Sequence, residues 1–206
     1  PGGAAYVSTH ISNFGGKAYI VGVVGNDADG EIVTSSLQEQ NIQIDGLIKD
    51  FERNTVTKTR IIAQHQQIVR IDYEERMHVS VSIIKEIVNY INKVIKEVDA
   101  VIISDYGKGV VIPSVFNEVI KLGRKFNIPI AVDPKPTYCL SYKGVTVITP
   151  NTFEAGTSVH KSISDEKTLI KVGNELLKKL RSKAVLITRG EHGMSLFEKN
   201  KKVIHI

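Results

Sequence analysis

Four short segments of the sequence carry residue types that suit a phosphorylated ligand. Each follows a run of apolar or β-branched residues and supplies a carboxylate or amide, a cation, or glycines. The four segments are Asp105–Gly109, Asp133–Lys135, Pro150–Glu154 and Arg189–Gly193. In a parallel sheet, segments of this kind converge at the carboxyl edge, where ligands bind. Lysine and glycine together offer an anion a positive charge and backbone N–H groups, so the pattern indicates phosphate chemistry.

Asn151 and Glu154 stand three residues apart at the predicted start of a helix and share one face of it. An amide and a carboxylate in that position could orient the waters of a Mg²⁺ ion around a polyphosphate. The same spacing is typical of a capping box, and the two interpretations are compatible. Taken singly, an aspartate after a strand is most often the N-cap of the next helix, which is the simpler interpretation of Asp105 or Asp133 alone.

Other chemistry is less well supported by the sequence. Gly2 and Gly3 open a predicted helix that runs to about Phe14, and they leave its start free of side chains. Neither a Walker A motif nor G-x-G-x-x-G is present. The six histidines show no i,i+4 pair, which argues against a zinc site. Cys139 is the single cysteine and is expected to be a packed thiol in a reducing cytosol.

The elements that must position these residues alternate between strands and helices. Near-continuous apolar runs predict five buried strands, at 18–24, 100–104, 128–132, 145–149 and 184–188. Helical spacing of apolar residues lies between them, at 83–95, 115–122 and 169–180. Asp165 and Glu166 open the last of these helices. The order predicts an α/β fold with a mostly parallel sheet.

A segment at about 55–73 has no helical period and is rich in Thr, Ile and Val. Its two halves, Thr57–Ala63 and Gln67–Tyr73, are predicted to pair as antiparallel strands. The pair is either a flap that projects from the main sheet or an additional edge hairpin of that sheet. A second hairpin is predicted near the end of the chain, with strands Met194–Glu198 and Val203–Ile206.

Composition limits the class of protein. With 206 residues, 42% apolar and 24% charged, the chain can bury a core and is not of the disordered class. No apolar run approaches the roughly 20 residues of a membrane helix, and no export signal opens the chain, so a cytoplasmic protein is expected. The net charge of +5 is spread along the sequence, which favours small anionic ligands over nucleic acid or membrane partners. We expect residues 1–206 to form a single domain. Because the sequence begins Pro1-Gly2-Gly3 and stops inside a predicted hairpin, we expect this domain to be truncated at both ends.

These motifs together resemble the ribokinase-like (PfkB) sugar kinases. The resemblance rests on Gly2-Gly3, the Thr/Ile-rich flap, Asp133-Pro134-Lys135, Asn151-x-x-Glu154 and Thr188–Gly193. One branch is more similar, that of the kinases of heptose 7-phosphate in ADP-heptose synthesis for the lipopolysaccharide core. The stretches similar to that branch are Pro1–Ala5, Thr57-Lys58-x-Arg60, Gln66-Gln67-x-x-Arg70-x-Asp72-x-Glu74, Ser104–Gly109 and Asp133–Lys135. In many bacteria such a kinase is the N-terminal half of a bifunctional enzyme that also carries an adenylyltransferase.

The resemblance implies a three-layer α/β/α sandwich with a small β flap. It implies an ATP-dependent carbohydrate kinase that uses Mg²⁺ and acts on a small sugar phosphate. Because a flap with unpaired strand edges favours dimerisation, a homodimer through the flap is also expected. The residues that would bind the nucleotide are Asn151, Thr152, Phe153, Glu154, Thr188, Arg189, Gly190 and Gly193, with Glu154 also serving the metal. The residues that would bind the sugar phosphate are Gly2, Gly3, Gln66, Gln67, Arg70, Asp72, Lys108, Asp133 and Lys135.

The sequence departs from the family pattern in two ways. Tyr6 stands where the family usually has asparagine, next to the double glycine. The Gly-Ala-Gly-Asp motif, which in the family supplies the catalytic base, is absent, so no catalytic residue is assigned and these 206 residues alone are expected to be inactive. Two alternatives stay open: another sugar kinase of the same family, and a non-catalytic domain that binds a nucleotide or a sugar phosphate.

Overall fold

The computed structural model describes residues 2–75 and 77–206, so Pro1 of the opening motif lies outside the described residues. The chain forms two compact units, one up to Lys93 with Lys108–Val110, the other Val94–Gly107 with Val111–Ile206. The helices are α1 (Gly3–Asn13), α2 (Ala28–Glu39), α3 (Val81–Val94), α4 (Pro113–Phe126), α5 (Thr152–Ser158) and α6 (Glu166–Leu180). The strands are β1 (Tyr19–Gly25), β2 (Gln43–Asp50), β3 (Thr57–Ala63), β4 (Gln66–Tyr73), β5 (Val101–Ser104), β6 (Ile130–Asp133), β7 (Val147–Ile148), β8 (Ala184–Thr188), β9 (Met194–Glu198) and β10 (Ile204–His205).

The first unit has its core between α1, α2 and the parallel pair β1–β2. Ile20, Leu37 and Ile42 are buried there. Asp27 caps α2 by accepting a hydrogen bond from the Gly30 N–H. Strand β2 was not predicted, because Asp45 and Gly46 interrupt its apolar residues and leave no continuous run.

Strands β3 and β4 form a two-stranded antiparallel sheet of their own. The predicted pairing is confirmed, although β4 begins at Gln66, one residue earlier than expected. Gln64 and His65 both have positive φ, +47° and +63°, the turn geometry that matches the twist of a hairpin. Since the hairpin is not part of the six-stranded sheet, the alternative of an additional edge hairpin is wrong.

The second unit is built on a six-stranded sheet in the order β10-β9-β8-β7-β6-β5. Strands β5 to β8 are parallel, and β9 and β10 continue the sheet in antiparallel fashion, which confirms the α/β class and the terminal hairpin. Four of the five predicted strands lie here, within two or three residues of their predicted bounds. The prediction at 128–132 begins too early because the Ile128 N–H still bonds to the Gly123 carbonyl at the end of α4.

Helices of the second unit begin and end with recognisable signals. Pro113 occupies the first turn of α4, and Asn127 ends that helix in the left-handed conformation. Asp165 caps α6, as predicted, and lysines occupy the last turn of that helix. Among residues 2–75 and 77–206 we find no helix with the length and apolar character needed to cross a bilayer.

Candidate ligand-binding site

A capping box at the start of α5 orients Asn151 and Glu154. The Asn151 side chain accepts a hydrogen bond of 2.9 Å from the Glu154 N–H, and Glu154 Oε2 accepts one of 3.0 Å from the Asn151 N–H. Lys135 Nζ donates to the other oxygen, Oε1, at 2.8 Å. Glu154 is buried, so both of its oxygens are held in place at the carboxyl edge of the sheet. The hydrogen bond to Glu154 raises the pKa of Lys135, which is therefore a cation at neutral pH.

Asp133, at the end of β6, adds a second carboxylate to this group. Burial raises its pKa, and the charge of Glu154 raises it further, while Lys135 has the opposite effect. A third carboxylate, Asp105, acts on the same two residues through its charge. Three carboxylates thus accompany one ammonium group, and the excess of negative charge suits a cation.

The donor set fits Mg²⁺ only in a hydrated form. Both oxygens of Glu154 already accept hydrogen bonds, and Mg²⁺ usually retains several waters in nucleotide sites. Over the described part of the chain, no group of three or more His, Cys, Asp or Glu residues is arranged to hold a metal. The residues that could face a hydrated ion are therefore Glu154 and its neighbour Asn151.

Asp105 and Asp133 are not helix N-caps, which corrects the simpler interpretation of each. The N-cap of α4 is Ile112, and no α-helix follows Asp133 directly. Asp105 is buried, and its Oδ1 accepts a hydrogen bond of 2.8 Å from the Gly107 N–H. Its Oδ2 accepts one of 2.9 Å from the Tyr142 hydroxyl. Sequence reasoning missed Tyr142 because the residue belongs to no motif and lies in a loop.

The segment at 188–193 lies beside the start of α5. Thr188 forms an isolated parallel bridge with Asn151, and its N–H donates to the Pro150 carbonyl at 3.0 Å. Arg189 N–H donates to the Gly193 carbonyl at 2.8 Å, which closes the segment into a tight loop. Thr152 and Phe153 begin α5, and the Phe153 side chain is 74% exposed. The structure thus brings these predicted nucleotide residues together on adjacent loops, with Gly190 open to solvent.

Cys139 is fully buried in a short 3-10 turn, Cys139–Ser141. Burial raises the pKa of its thiol, and a hydrogen bond with Ser158 of α5 lowers it in part. The interpretation of this residue as a packed thiol is confirmed.

In the first unit, the charged face of the β3–β4 hairpin carries a chain of ion pairs. Arg70 donates two hydrogen bonds to Asp72, at 2.8 and 3.0 Å. Lys58 lies opposite Asp72 and contacts it at 2.9 Å, and this hydrogen bond is the main reason why the pKa of Asp72 is lowered. Glu74 pairs with both Lys58 and Lys108. The predicted sugar-phosphate residues Arg70, Asp72 and Lys108 are therefore linked through acidic partners.

The other predicted residues of the first unit are not linked in this way. Gln66 and Gln67 are exposed at the start of β4, and their side chains make no hydrogen bond within the described residues. Gly2 caps α1 without a side-chain hydrogen bond, and a Cβ there would meet nothing within 4 Å. Gly3 has a positive φ of +57°. The start of α1 is therefore open, as expected.

Arg53 is a further residue that sequence reasoning missed. Its guanidinium donates to the carbonyl of Lys108 at 3.2 Å and to that of Met77 at 2.9 Å, beside Asp50 at 3.3 Å. Gly109 has a φ of +81°, and a Cβ there would overlap the Met77 carbonyl oxygen. Arg53 and Gly109 together hold Lys108 against the base of the hairpin.

A comparison with known protein families identifies the family of the chain. The model of the family described as pfkB family carbohydrate kinase matches residues 1–206. The chain belongs to the pfkB family of carbohydrate kinases. The resemblance drawn from the motifs is confirmed at the level of the family.

Curated relatives cover the whole chain. The bifunctional protein HldE of Geobacter sulfurreducens is 38% identical over 205 residues, and that of Aliivibrio fischeri (strain MJ11) is 34% identical over 206 residues. In both cases the match covers 100% of this chain and 42% of the relative. The chain therefore spans less than half the length of these pfkB-family relatives.

Solved structures share the fold. The tetrameric inhibited form of phosphofructokinase-2 from Escherichia coli matches with a TM-score of 0.77 and 17% identity, over 100% of this chain and 67% of that one. Arabidopsis thaliana ribokinase complexed with ribose and ATP matches with a TM-score of 0.75 and 16% identity, over 100% of this chain and 66% of that one. The predicted ribokinase-like class is confirmed by these matches.

Proposed function

We propose that this chain is the kinase part of an enzyme that transfers the γ-phosphoryl group of ATP to the 1-hydroxyl of D-glycero-β-D-manno-heptose 7-phosphate. The observation that carries the proposal is the match of the whole chain to relatives named bifunctional protein HldE, at 33–38% identity. The heptose branch of the family is favoured by the flap motif, in which Arg70 and Asp72 are paired. The product would serve ADP-heptose synthesis for the lipopolysaccharide core.

The nucleotide would bind in the second unit, at the carboxyl ends of the parallel strands of its six-stranded sheet. Lys135 is supported by Glu154 yet partly exposed, so its ammonium group can reach a phosphate without leaving its partner. Mg²⁺, when bound with its waters, would neutralise phosphate charge beside Asn151 and Glu154. The side chains of Thr152 and Phe153, and the loop 188–193, would border the nucleotide.

The first unit offers several groups that suit the sugar phosphate. Its cations Arg70 and Lys108 suit the phosphate group, and the open start of α1 at Gly2 and Gly3 leaves room for a sugar. Asp72, Gln66 and Gln67 of the same unit supply hydrogen-bonding groups for the sugar hydroxyls. Catalysis would rest mainly on positioning for in-line transfer, and we assign the general base to no residue of this chain.

We further propose that the hairpin mediates a homodimer. One face of the hairpin carries the paired residues Ile61 and Val69, together with Ile71 and Tyr73, and all four are exposed. An exposed apolar sheet face of this kind is typical of a protein interface, and packing two such faces together would bury it. The charged face would remain available to the sugar phosphate.

A substrate panel tests the proposed reaction. The complete product of the gene is given ATP, Mg²⁺ and, in turn, heptose 7-phosphate, fructose 6-phosphate or ribose, and ADP release is measured with the product identified by phosphorus NMR. We expect the highest kcat/KM for heptose 7-phosphate, with the new phosphate on C1. A preference for another sugar would support a different sugar kinase of the family, and binding without turnover would support the non-catalytic alternative.

A substitution in the capping box tests the nucleotide site. Asn151→Asp keeps the acceptor that caps α5, so the free energy of unfolding should stay within about 0.5 kcal/mol of the wild-type value. The added negative charge beside the phosphates should raise KM for ATP about tenfold. Asp165→Asn makes the reverse exchange in the capping box of α6 and serves as the matched control. An unchanged KM for ATP in Asn151→Asp would argue against the site.

A further inference from the structure

Asp105 is a buried carboxylate that is supported by neutral donors. It is 1% exposed and Tyr142 is 0% exposed. The hydroxyl of Tyr142 donates to Oδ2 and the Gly107 N–H donates to Oδ1, so each oxygen has one donor. Within residues 2–75 and 77–206, no cation lies within ion-pair distance of this carboxylate. Burying a charge without a cation is costly, and stability alone does not explain why the residue is an aspartate.

The position of Asp105 connects it to the proposed nucleotide site. Its N–H donates to the Asp133 carbonyl at 2.9 Å, which extends the pairing of β5 with β6. The ionisable groups around it are Asp133 and Lys135, on which its charge acts, and Tyr142, with Cys139 beyond the tyrosine. Burial, and then the charge of Asp105, raise the pKa of Tyr142, so the hydroxyl remains a donor at neutral pH.

We propose that Tyr142 is a positioning residue of the nucleotide site: its hydroxyl holds the buried carboxylate of Asp105, which provides a fixed negative charge behind Asp133 and Lys135. With this charge, the group of three carboxylates and one ammonium carries an excess of negative charge, which attracts a hydrated Mg²⁺ ion. The inference rests on the proposed function, because it assigns the second unit to the nucleotide. Asp105 itself touches no ligand, since its side chain is enclosed.

Two substitutions separate the hydrogen bond from the charge. Tyr142→Phe removes the donor and keeps the carboxylate, so one buried oxygen loses its partner. Asp105→Asn removes the charge and keeps both contacts, because its amide oxygen can accept from Gly107 and its NH₂ group can donate to Tyr142. Tyr138→Phe is the matched control, because Tyr138, like Tyr142, stacks on Phe116 but its hydroxyl makes no hydrogen bond within the described residues.

The first measurement is thermal unfolding without ligand at pH 7.5. Tyr142→Phe leaves one oxygen of the buried carboxylate without its donor, so Tm should fall by about 3 °C or more, whereas Tyr138→Phe should change it less. In the Asp105→Asn background the same substitution removes only a hydrogen bond between neutral groups, so its loss of Tm should be smaller. An equal loss of Tm in both backgrounds indicates packing alone and overturns the proposal.

The second measurement is the Mg²⁺ concentration that half-saturates ATP binding at pH 7.5. Asp105→Asn should require about three- to tenfold more Mg²⁺ than the wild type, and Tyr138→Phe should match the wild type. A wild-type requirement in Asp105→Asn overturns the proposal even if ATP binds. Failure of the wild type to bind ATP at any Mg²⁺ concentration would instead contradict the proposed function, and the loss of Tm in Tyr142→Phe would still report on the pair.

Discussion

At the level of single residues, Asp133 is placed where burial and charge oppose its ionised form. Its pKa is raised by burial first and then by Glu154. A carboxyl group whose pKa is higher in the folded chain than in the unfolded chain stabilises the fold below its unfolded pKa, and this contribution is lost as the pH rises through the folded pKa. At neutral pH the ionised Asp133 therefore lowers the free energy of unfolding, as functional groups in ligand sites often do.

Asp133→Asn should raise the Tm of the ligand-free protein at pH 7. The expected gain is about 2 °C, since Asp133 is only half-buried and solvent screens part of the effect. Because the pKa of Asp133 is raised, more of its carboxyl is protonated at pH 4 than at pH 7, so the gain should be smaller at pH 4. Differential scanning calorimetry at both pH values checks this, with Asp99→Asn at an exposed position as the control. An equal gain at pH 4 and pH 7 would contradict the assignment.

At the level of elements, the β3–β4 hairpin carries an apolar patch on one face and a chain of ion pairs on the other. Residues that alternate along a strand point to opposite sides, so on β4 Ile71 shares a face with Val69 and Tyr73. On β3, Ile62 shares the other face with Lys58 and Arg60. The exposed fractions of Ile71 and Ile62 are similar, 53% and 64%. The two isoleucines therefore form a matched pair for testing which face is an interface.

Ile71→Lys should weaken the proposed homodimer, whereas Ile62→Lys should not. A lysine at the centre of an apolar interface leaves a charge without water, so the dimer Kd should rise at least about tenfold. Light scattering coupled to size-exclusion chromatography, across a protein concentration series, gives the dimer fraction of each variant. Equal effects of the two substitutions, or a monomeric wild type, would rule out the apolar face as the interface.

The elements also show what the sequence can predict. The strand at Ala184–Thr188 was predicted within its observed bounds because five apolar or β-branched residues follow one another. Strand β2 was missed because its side chains alternate irregularly around Gly46, and only pairing with β1 reveals it. The spacing of Asn151 and Glu154 predicted the capping box, since both partners lie within one turn. Tyr142 contacts Asp105 across 37 residues, and no local pattern records such a contact.

At the level of the whole molecule, the proposed ligand residues are divided between two compact units. Arg70, Asp72 and Lys108 lie in the first unit, and Lys135 and Glu154 lie in the second. The family match extends over both units. Binding of each proposed ligand can therefore be tested with substitutions in the unit whose residues would bind it. The net charge of +5 is modest and provides no strong long-range attraction for other polyanions.

The buried thiol of Cys139 gives the second unit a built-in chemical reporter. It is the single cysteine of the chain, it is shielded from solvent, and its partner Ser158 lies on the helix that begins at Asn151. A thiol-reactive dye can label it only when this region opens, so a ligand that binds the closed form should slow labelling. With Mg²⁺ and ATP at 100 times Kd, the rate should fall about 100-fold, whereas labelling of guanidinium-unfolded chain should be unaffected. An unchanged rate under these conditions would mean that nucleotide does not stabilise the second unit, so the kinetics of one alkylation reaction report ligand occupancy without any engineered probe.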